Sequence, residues 1–592
     1  MAGRLKLPAG LPLHVLREYA VLADGERGAL VGPRGEIAWL CAPQWHDDPV
    51  FGSLIGGHGT YAVTPLDERY VWGGYYEPGS LVWRGRWTAD DRVMECRQAL
   101  AFPGDKDHLV LLHRIEALHG DAHFAAILSL AAGFGADPMT DVHRSGDVWT
   151  ARAGQHLARW TGAGDAHYVT SENRLELAIE LREGETHDLV LEIGRDRLPD
   201  RPPAPDPTWS ATLSSWSDAV PSFEQTIAPT DAKQSYAVLR GLTSATGGMV
   251  AAATMSLPEH GGRSRNYDYR YAWIRDQCYA GQAVAACGAH PLLGSAVTFV
   301  SGALLEHGND LRPAYTVDGG LVPDERQLDL PGYPGGKDVV GNWVNQQFQL
   351  DTLGESLLLL AAAERHGMLD LDGWRAVETC IDVMRGRWKK PDAGIWELDD
   401  RRWAHSRLIC AAGLRAIAAV APTAQAAEWA GFADTIVADA TSDCLHPTGR
   451  WQQSPQDERV DASLLLAAVR GAVPAEDPRS VATLEAVRSE LADEGYLYRF
   501  RHDERPLAEA EGVFLLCGFH MALAAHQQGH RAEALRWFER GRAACTTPGL
   551  FTEEFDVRQR QLRGNLPQAF VHAGMLEASA RLADGPGTHL HT

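Results

Sequence analysis

The sequence predicts a multidomain α+β protein: an N-terminal antiparallel β-sandwich over residues 1–195 and a C-terminal (α/α)6 barrel over residues 232–592. Three observations predict this division. Apolar residues alternate with polar ones in the first third of the chain. Further on they recur at three- and four-residue spacing, and the helical segments are joined by alternately long and short connections. Residues 196–231 are the predicted linker.

The N-terminal region shows the two-residue period of half-buried strands. Arg174–Leu181 and His187–Ile193 place leucine or isoleucine at every second position, and Gly184 supplies a turn between them. Residues 108–118 and 122–130 show the same alternation. Because successive side chains of a strand face opposite sides, this pattern favours a sandwich of antiparallel sheets.

A proline-rich stretch separates the two patterns. Five prolines lie between residues 196 and 207, namely Pro199, Pro202, Pro203, Pro205 and Pro207. Proline lacks a backbone N–H and breaks helix interiors, so we expect an extended connector here.

The remaining chain has a helical period. Twelve segments are predicted, at 232–247, 273–288, 291–307, 345–366, 371–386, 403–420, 424–440, 458–470, 480–492, 512–528, 531–545 and 565–584. The connections after the first, third and later odd-numbered segments are long, about 16–37 residues, and the others are about 2–9 residues, which suits antiparallel neighbours. If the segments alternate in direction, all six long connections emerge at one end. Six helix pairs fit an (α/α)6 barrel. An open solenoid is the alternative, but no repeat of fixed period supports it.

Composition narrows the functional classes. The chain has 592 residues and a net charge of −23, which disfavours nucleic-acid binding and anionic membranes as partners. No run of 18 apolar residues could span a membrane, and the N-terminus lacks the apolar core of a secretion signal. We therefore expect a cytoplasmic protein that acts on a small molecule, with homo-oligomerisation left open.

The cysteines suggest neither a disulfide framework nor a metal site. There are nine, at scattered positions and without a C-x-x-C pair. Reduced thiols are the simpler interpretation, and a disulfide or zinc framework is the alternative. No ligand spacing calls for a metal, so we expect neither metal nor cofactor.

Aromatic and charged residues gather on the predicted long connections. The first carries Tyr269, Trp273, Arg275 and Asp276, and the others carry Trp343, Trp396, Glu397, Arg499, Glu553 and Glu554. This composition suits a sugar, since aromatic rings pack on its C–H faces and arginine and aspartate bind its hydroxyls. Individually, an Arg-Asp pair is more often a surface ion pair, a lone glutamate a helix cap, and a tryptophan part of the core. Their placement at one predicted end favours a site.

Cleavage of a glycosidic bond needs two carboxyl groups. One donates a proton to the leaving oxygen, and the other is ionised to activate water or to attack carbon. Glu397 and Glu553 are far apart in sequence, so the fold has to bring them together. We expect a raised pKa at the acid and an ionised base.

Several segments in order resemble glycoside hydrolase family 15, the glucoamylases and related bacterial and archaeal trehalases, over nearly the whole chain. They are Glu18–Ala20 with Trp39–Pro43, Asn266–Asp276, Gly394–Glu397, Trp403–Arg407, Glu511–Cys517, Thr552–Asp556 and Gly564–Phe570. The first pair resembles the start of a trehalase-like N-terminal domain. The resemblance implies a β-sandwich joined to an (α/α)6 barrel, and single-displacement hydrolysis with inversion.

The resemblance also implies roles for individual residues. Glu397 would be the general acid and Glu553 the general base, with Glu554 as its competitor. Arg275 and Asp276 would bind glucose hydroxyls. The remaining residues would line the cleavage subsite or add a donor: Tyr269, Trp273, Trp343, Trp396 and Arg499. The stretches Leu408–Leu414 and Pro313–Gly320 depart from the family pattern, and both bear on the leaving-group side.

Three functions remain open at this point. The leading one is an inverting, exo-acting α-glucoside hydrolase, with trehalose favoured over malto- and isomalto-oligosaccharides. A disaccharide phosphorylase is the second, and the base-like glutamate argues against it. A non-catalytic sugar-binding protein is the third, and the presence of both carboxylates argues against it.

Overall fold

The computed structural model describes residues 11–262, 265–502 and 505–584, and all structural statements concern these residues. Strands dominate up to Arg195 and helices dominate after it. Strands (β) and helices (α) are numbered in chain order.

Two eight-stranded antiparallel sheets form the N-terminal region, which confirms the predicted antiparallel sheets. The first runs in the order β1-β2-β3-β5-β10-β17-β16, with β4 paired to β3, and the second in the order β13-β14-β15-β18-β9-β8-β7-β6; β11 and β12 pair only with each other. The strands are β1 Ala20–Ala23, β2 Gly28–Val31, β3 Glu36–Cys41, β4 Pro49–Phe51, β5 Thr60–Pro65, β6 Val71–Tyr76, β7 Trp83–Ala89, β8 Arg92–Leu100, β9 His108–His119, β10 Ala122–Ser129, β11 Ala131–Ala132, β12 Asp137–Pro138, β13 Thr140–Ser145, β14 Val148–Ala153, β15 His156–Thr161, β16 His167–Val169, β17 Arg174–Leu181 and β18 Thr186–Arg195.

Aromatic side chains pack the two sheets face to face. Tyr61 of the first sheet meets Trp160 of the second edge-on at 6.1 Å between ring centroids, and Phe124 meets Trp87 at 5.8 Å. All four rings are buried. Side chains from both inner faces therefore share one core.

The expectation of an extended, helix-free connector is wrong at its C-terminal end. Helix α1 spans Pro205–Ala219, inside the predicted linker. Its prolines fall in the first turn, where a missing N–H costs nothing because those donors have no partner in the helix. Trp216 of α1 stacks on Phe102 of the sandwich at 4.0 Å. The two tryptophans of this segment, Trp209 and Trp216, are thus the buried face of a helix.

All twelve predicted helical segments contain a helix. They are α2 Pro229–Leu242, α3 Ile274–Ala285, α4 Pro291–His307, α5 Asp351–Arg365, α6 Leu371–Arg387, α7 Ala404–Ala418, α8 Thr423–Cys444, α9 Leu466–Val469, α10 Pro478–Leu491, α11 Leu515–Gln527, α12 Arg531–Arg542 and α13 Ala569–Arg581. Helix α9 has a single turn because the first part of its segment, Ala462–Leu465, is a 3-10 helix.

Alternate helices close into a ring. Helix α3 packs on α5, α5 on α7, α7 on α9, α9 on α11, α11 on α13, and α13 on α3 again. The other six helices each pack against a member of this ring from outside. Helices α5 and α7 approach closely at Gly354 and Gly413, where an added Cβ would lie 2.4 Å from the facing backbone.

Short strands order the long connections. In the described helical region they are β19 Ala272–Trp273, β20 Ala314–Tyr315, β21 Arg326–Gln327, β22 Val339–Val340, β23 Ala492–Asp493, β24 Tyr496–Leu497, β25 Val513–Phe514, β26 Glu554–Asp556 and β27 Gln561–Arg563. Strand β19 pairs with β20, and β25 pairs with β26, so different connections are tied to each other.

The sandwich also holds one of these connections. The Arg270 guanidinium pairs with Asp268 and donates to the carbonyl oxygen of Asp47 at 2.7 Å. Both charged side chains are fully buried. The loop between β3 and β4 is thereby hydrogen-bonded to the chain segment that leads to Trp273.

All nine cysteines are free thiols, seven of them buried. Within the described ranges, no helix combines the length and apolar character that crossing a membrane requires.

Candidate active site

A pocket opens where the long connections of the helical ring meet. It encloses about 590 Å³ including its mouth. Its lining residues are Glu259, Arg265, Tyr267, Tyr269, Arg275, Tyr279, Trp343, Ile395, Trp396, Glu397, Arg499, Phe514, Leu516, Glu553 and Phe570. Seven of the nine predicted site residues are among them, and the other two, Trp273 and Asp276, lie directly behind.

Glu397 lies at one side of this pocket with two polar contacts on its carboxylate. The Trp273 indole Nε1 donates to its Oε1 at 2.8 Å, and the Arg275 Nη1 lies 3.5 Å from the same oxygen. The Glu397 side chain is 23% exposed. Its φ angle is +55°, a left-handed conformation that costs a glutamate about 1 kcal/mol or more. Such strain persists only where the surroundings fix it.

Arg275, in the first turn of α3, contacts the third long connection. Its Nη1 also donates to the carbonyl oxygen of Ile395 at 2.9 Å, and its Nε donates to Asp276 at 3.0 Å. Asp276 is 1% exposed and does not line the pocket. Burial raises the pKa of Asp276 to about 6, although the Arg275 guanidinium opposes this. The structure therefore places Asp276 as the partner of Arg275.

Trp396 is fixed from behind by the fourth long connection, between α8 and α9. Its Nε1 donates to the carboxylate of Asp461, with both oxygens at 2.9 Å. Its ring meets Phe514 edge-on at 5.2 Å. The Arg499 guanidinium lies over both rings, 5.4 Å from Trp396 and 4.8 Å from Phe514. Trp396 is thus a rigid wall, suited to pack on a sugar.

Two arginines and Glu511 form an ion cluster beside Trp396. Arg499 pairs with Glu511, and Arg265 Nη1 lies 3.3 Å from the same carboxylate. Although burial opposes it, these guanidiniums lower the pKa of Glu511 well below its usual range. Arg265 also donates to Glu259 at 2.9 Å. Both arginines are paired with carboxylates, and both line the pocket.

Glu553 lines the pocket from the sixth connection. The Tyr269 hydroxyl lies 3.4 Å from its Oε1 and 3.3 Å from Glu259 Oε1, so its single proton serves one carboxylate at a time. The other oxygen of Glu553, Oε2, is buried and receives no hydrogen bond from the described protein groups. The Tyr269 ring in turn meets Trp273 edge-on at 5.5 Å, which leads back to Glu397.

Glu554 faces away from the pocket. It is fully buried, and its Oε2 accepts the backbone N–H of Gly512 at 2.8 Å. Its other oxygen lies 3.7 Å from Arg499. Adjacent strand residues point to opposite sides, so Glu554 stabilises the junction of β25 and β26 while Glu553 faces the cavity.

The titration of the predicted base differs from the expectation. We expected the base to be ionised in the ordinary way. Instead, burial and the neighbouring Glu259 and Glu554 raise the pKa of Glu553 well above its usual range. The physical reason is crowding: three glutamates share one buried wall, and Arg265 and Arg499 offset only part of their charge.

An open groove continues beyond Glu397. Trp343 and Glu397 line both the pocket and this groove, which encloses about 1110 Å³ including open solvent. Trp343 lies at the boundary between the pocket and the groove and is 39% exposed. The other charged residues along the groove are Asp399, Asp400, Arg401, Asp457 and Arg459.

Sequence reasoning missed several residues that shape this site. The sequence analysis assigns no role to Glu259, Arg265, Tyr267, Asp461 or Glu511. Glu259 and Glu511 stand on the predicted long connections, so the same loop argument could have included them. Within the described residues, no group of three or more His, Cys, Asp or Glu is arranged to hold a metal ion.

Two carboxylates on separate connections, facing one aromatic-lined pocket, are the arrangement by which a glycoside hydrolase cleaves a sugar linkage. Comparison with known proteins agrees. The model of the family Glycosyl hydrolases family 15 matches residues 233–580, and that of Trehalase-like, N-terminal matches residues 10–117. The chain therefore belongs to glycosyl hydrolase family 15, and it is a glycoside hydrolase.

Individual relatives align over nearly the whole chain. It is 30% identical to a trehalase of Mycobacterium tuberculosis, over 96% of this chain and 90% of the relative. It is also 30% identical to a trehalase of Mycolicibacterium smegmatis, over 96% and 91%. Among solved structures, a bacterial glucoamylase complexed with acarbose superimposes with a TM-score of 0.67, at 13% identity, over 99% of this chain and 97% of the other. That likeness supports the fold.

Proposed function

We propose that this chain hydrolyses a small α-glucoside from its non-reducing end with inversion of configuration, and that trehalose is the preferred substrate. The observation that carries the proposal is the placement of Glu397 and Glu553 around one pocket that continues into an open groove. A single terminal glucosyl unit would fill the pocket, and the leaving group would lie in the groove beyond Glu397.

In the proposed reaction, Glu397 donates its proton to the glycosidic oxygen as the bond from that oxygen to C1 breaks. Glu553 accepts a proton from a water molecule whose oxygen bonds to C1 from the opposite face. Hydrolysis of trehalose then yields one β-glucose and one α-glucose. The position of Glu553 on the pocket wall supports its assignment as base over Glu554, which does not line the pocket and whose Oε2 accepts the backbone N–H of Gly512.

The substrate-binding residues follow from the same geometry. We propose that Arg275 and Arg499 donate to glucose hydroxyls, with Asp276 acting through Arg275. Tyr269, Trp273 and Trp396 would shape the pocket, and Trp343 would form a platform at its mouth.

The closed ring of alternating helices supports the designation (α/α)6 barrel, with the sandwich domain at 1–195 and the catalytic domain at 232–592.

Trehalose is proposed as the substrate because relatives named trehalase align across both regions of the chain. A glucoamylase-type activity on malto- or isomalto-oligosaccharides is the second candidate, favoured by the open groove, which has room for more than one sugar unit.

Time-resolved proton NMR of the purified enzyme tests the proposal. We expect trehalose cleavage to release α- and β-glucose together in equal amounts before mutarotation. Cleavage of maltose or isomaltose alone would move the function to the second candidate. Turnover that depends on added phosphate and yields glucose phosphate would overturn hydrolysis.

Matched variants test the two roles. Glu397→Gln and Glu553→Gln should each lower kcat at least 10²-fold, the usual contribution of a positioned acid or base. Glu554→Gln keeps the same shape and should retain far more turnover. If Glu554→Gln lost turnover while Glu553→Gln kept it, the base assignment would be reversed.

A further inference from the structure

The turn that carries Glu397 contains two left-handed backbone conformations, which glycine adopts freely and glutamate does not. Gly394 has φ +66° and Glu397 has φ +55°. The N–H of Glu397 donates to the carbonyl oxygen of Gly394 at 3.2 Å, and Leu398 donates to Ala393 at 2.9 Å. No side chain is tolerated at Gly394, because a Cβ would lie 2.8 Å from the Trp403 ring. Something outside this turn has to hold it in place.

From the pocket side, the restraints are the residues already described. Trp273 donates to the Glu397 carboxylate, and Arg275 donates to the carbonyl oxygen of Ile395. These two contacts reach the turn from the end of the first long connection and from the first turn of α3. They fix the carboxylate and one peptide, but not the start of the turn.

The start of the turn is held by Asp392, a residue with no role in the proposed chemistry. A single oxygen, Oδ1, accepts the N–H of Gly394 at 2.8 Å, the hydroxyl of Ser406 at 2.9 Å and the N–H of Leu350 at 3.3 Å. Leu350 is the N-cap of α5, and Ser406 lies in the first turn of α7. The carboxyl therefore joins two inner helices to the turn of the acid.

The backbone of Asp392 adds to this anchor. Its N–H and carbonyl oxygen pair with Arg401, at 2.9 and 3.0 Å, and its carbonyl oxygen also accepts the Trp403 Nε1 at 2.9 Å. The side chain is 1% exposed. A buried acceptor with three donors is costly to remove, because each donor is then left without a partner.

We propose that Asp392 is a positioning residue for the general acid, which fixes the turn Gly394–Glu397 against α5 and α7 so that the Glu397 carboxyl faces the glycosidic oxygen. The proposal rests on the proposed role of Glu397. Burial, reinforced by the carboxylate of Asp351, raises the pKa of Asp392 to about 8, so near neutral pH the anchoring group is mostly the uncharged acid. An amide, which offers an oxygen of the same shape, should therefore replace it.

The test compares two substrates that differ in their need for an acid. The sugar that is expelled from a disaccharide is a poor leaving group and needs proton donation. α-Glucosyl fluoride releases fluoride without it. A residue that acts only through Glu397 should matter for the first substrate and not for the second. A residue that merely supports the fold should affect both alike.

We expect Asp392→Ala to lower kcat on trehalose about 10²-fold, the loss that a displacement of about 1 Å produces. On α-glucosyl fluoride its kcat should stay within about threefold of wild type, and Asp392→Asn should retain most activity on both substrates. In the double variant with Glu397→Gln, the Asp392→Ala change should add little further loss on trehalose.

Controls separate this proposal from the proposed function. Glu397→Gln should show the same substrate split, and if it does not, the assignment of the acid fails first. Asp370→Ala removes a carboxylate that accepts the N–H of Gly373 at the start of α6, on the short connection from α5, and should leave both activities unchanged.

Equal losses of Asp392→Ala on both substrates, or no loss on either, would overturn the positioning role. If Asp392→Ala does not fold, Ser406→Ala removes one of the three donors with minimal change in volume. Ser406→Ala should then lower the turnover of trehalose several-fold and leave the turnover of α-glucosyl fluoride unchanged. Any other pattern of losses on the two substrates would count against the proposal.

Discussion

The crowding of glutamates around Glu553 leads to a quantitative prediction for the pH dependence of activity. Glu259→Gln removes one negative charge and keeps the shape of the side chain and its acceptor for Tyr269. A base must be ionised, and a nearby negative charge disfavours ionisation. Removal of that charge should therefore lower the pKa of Glu553 and move the acidic limb of kcat/KM to lower pH.

The size of the shift follows from the Tyr269 hydroxyl. Glu259 Oε1 and Glu553 Oε1 lie 3.3 and 3.4 Å from that hydroxyl, which keeps the two carboxylate oxygens under about 7 Å apart. Two unit charges at about 6 Å and an effective dielectric of about 20 repel by about 3 kcal/mol, or about 2 pH units. Arg265, which pairs with Glu259, offsets part of this repulsion, so we expect a shift of about 1–2 units.

The assay is the pH profile of kcat/KM for the wild type and Glu259→Gln on the same substrate at constant ionic strength. Glu378→Gln, an exposed position on α6, is the control for the change in net charge, and its acidic limb should not move. An acidic limb of Glu259→Gln that stays in place or moves to higher pH would refute the reasoning. It would show that the charge of Glu259 does not control the group that titrates.

Two further predictions concern stability and binding. Although burial acts to raise it, Arg470 and Arg581 lower the pKa of Glu577 to about 2. This pairing stabilises the fold above the unfolded-state value near 4.5, by about 3 kcal/mol, and the stabilisation is lost as the pH falls through about 2. Glu577→Gln should therefore melt well below the wild type at pH 7, with a gap that narrows between pH 5 and pH 2 in thermal unfolding. A constant gap would contradict it. Trp343→Ala should raise KM about fivefold, equivalent to about 1 kcal/mol of aromatic packing, with kcat within about twofold in steady-state assays. A loss confined to kcat would show that Trp343 is not a binding platform.

Much of the fold was predictable because it depends on local periodicity. The twelve helices follow from apolar spacing, and the long connections follow from where that spacing stops. The error at α1 has the opposite origin: proline opposes helix interiors but is well tolerated in a first turn, and only the packing of Trp216 on Phe102 shows which applies.

The site was predictable in outline and not in its electrostatics. The loop argument and the family resemblance together singled out Glu397 and Glu553. No pattern along the chain shows that Glu259 lies beside Glu553, or that Asp276 is turned away from the pocket towards Arg275. These are contacts between connections distant in sequence, and they set the titration and orientation of the residues that the sequence identifies.

The closed ring of helices has a consequence for how this protein acquires its activity. The pocket takes side chains from connections along the whole helical region, and the ring closes only when α13 docks on α3. The pocket is therefore complete only when the first and last helices of the ring are in contact, and catalytic turnover reports that this contact between distant parts of the chain has formed.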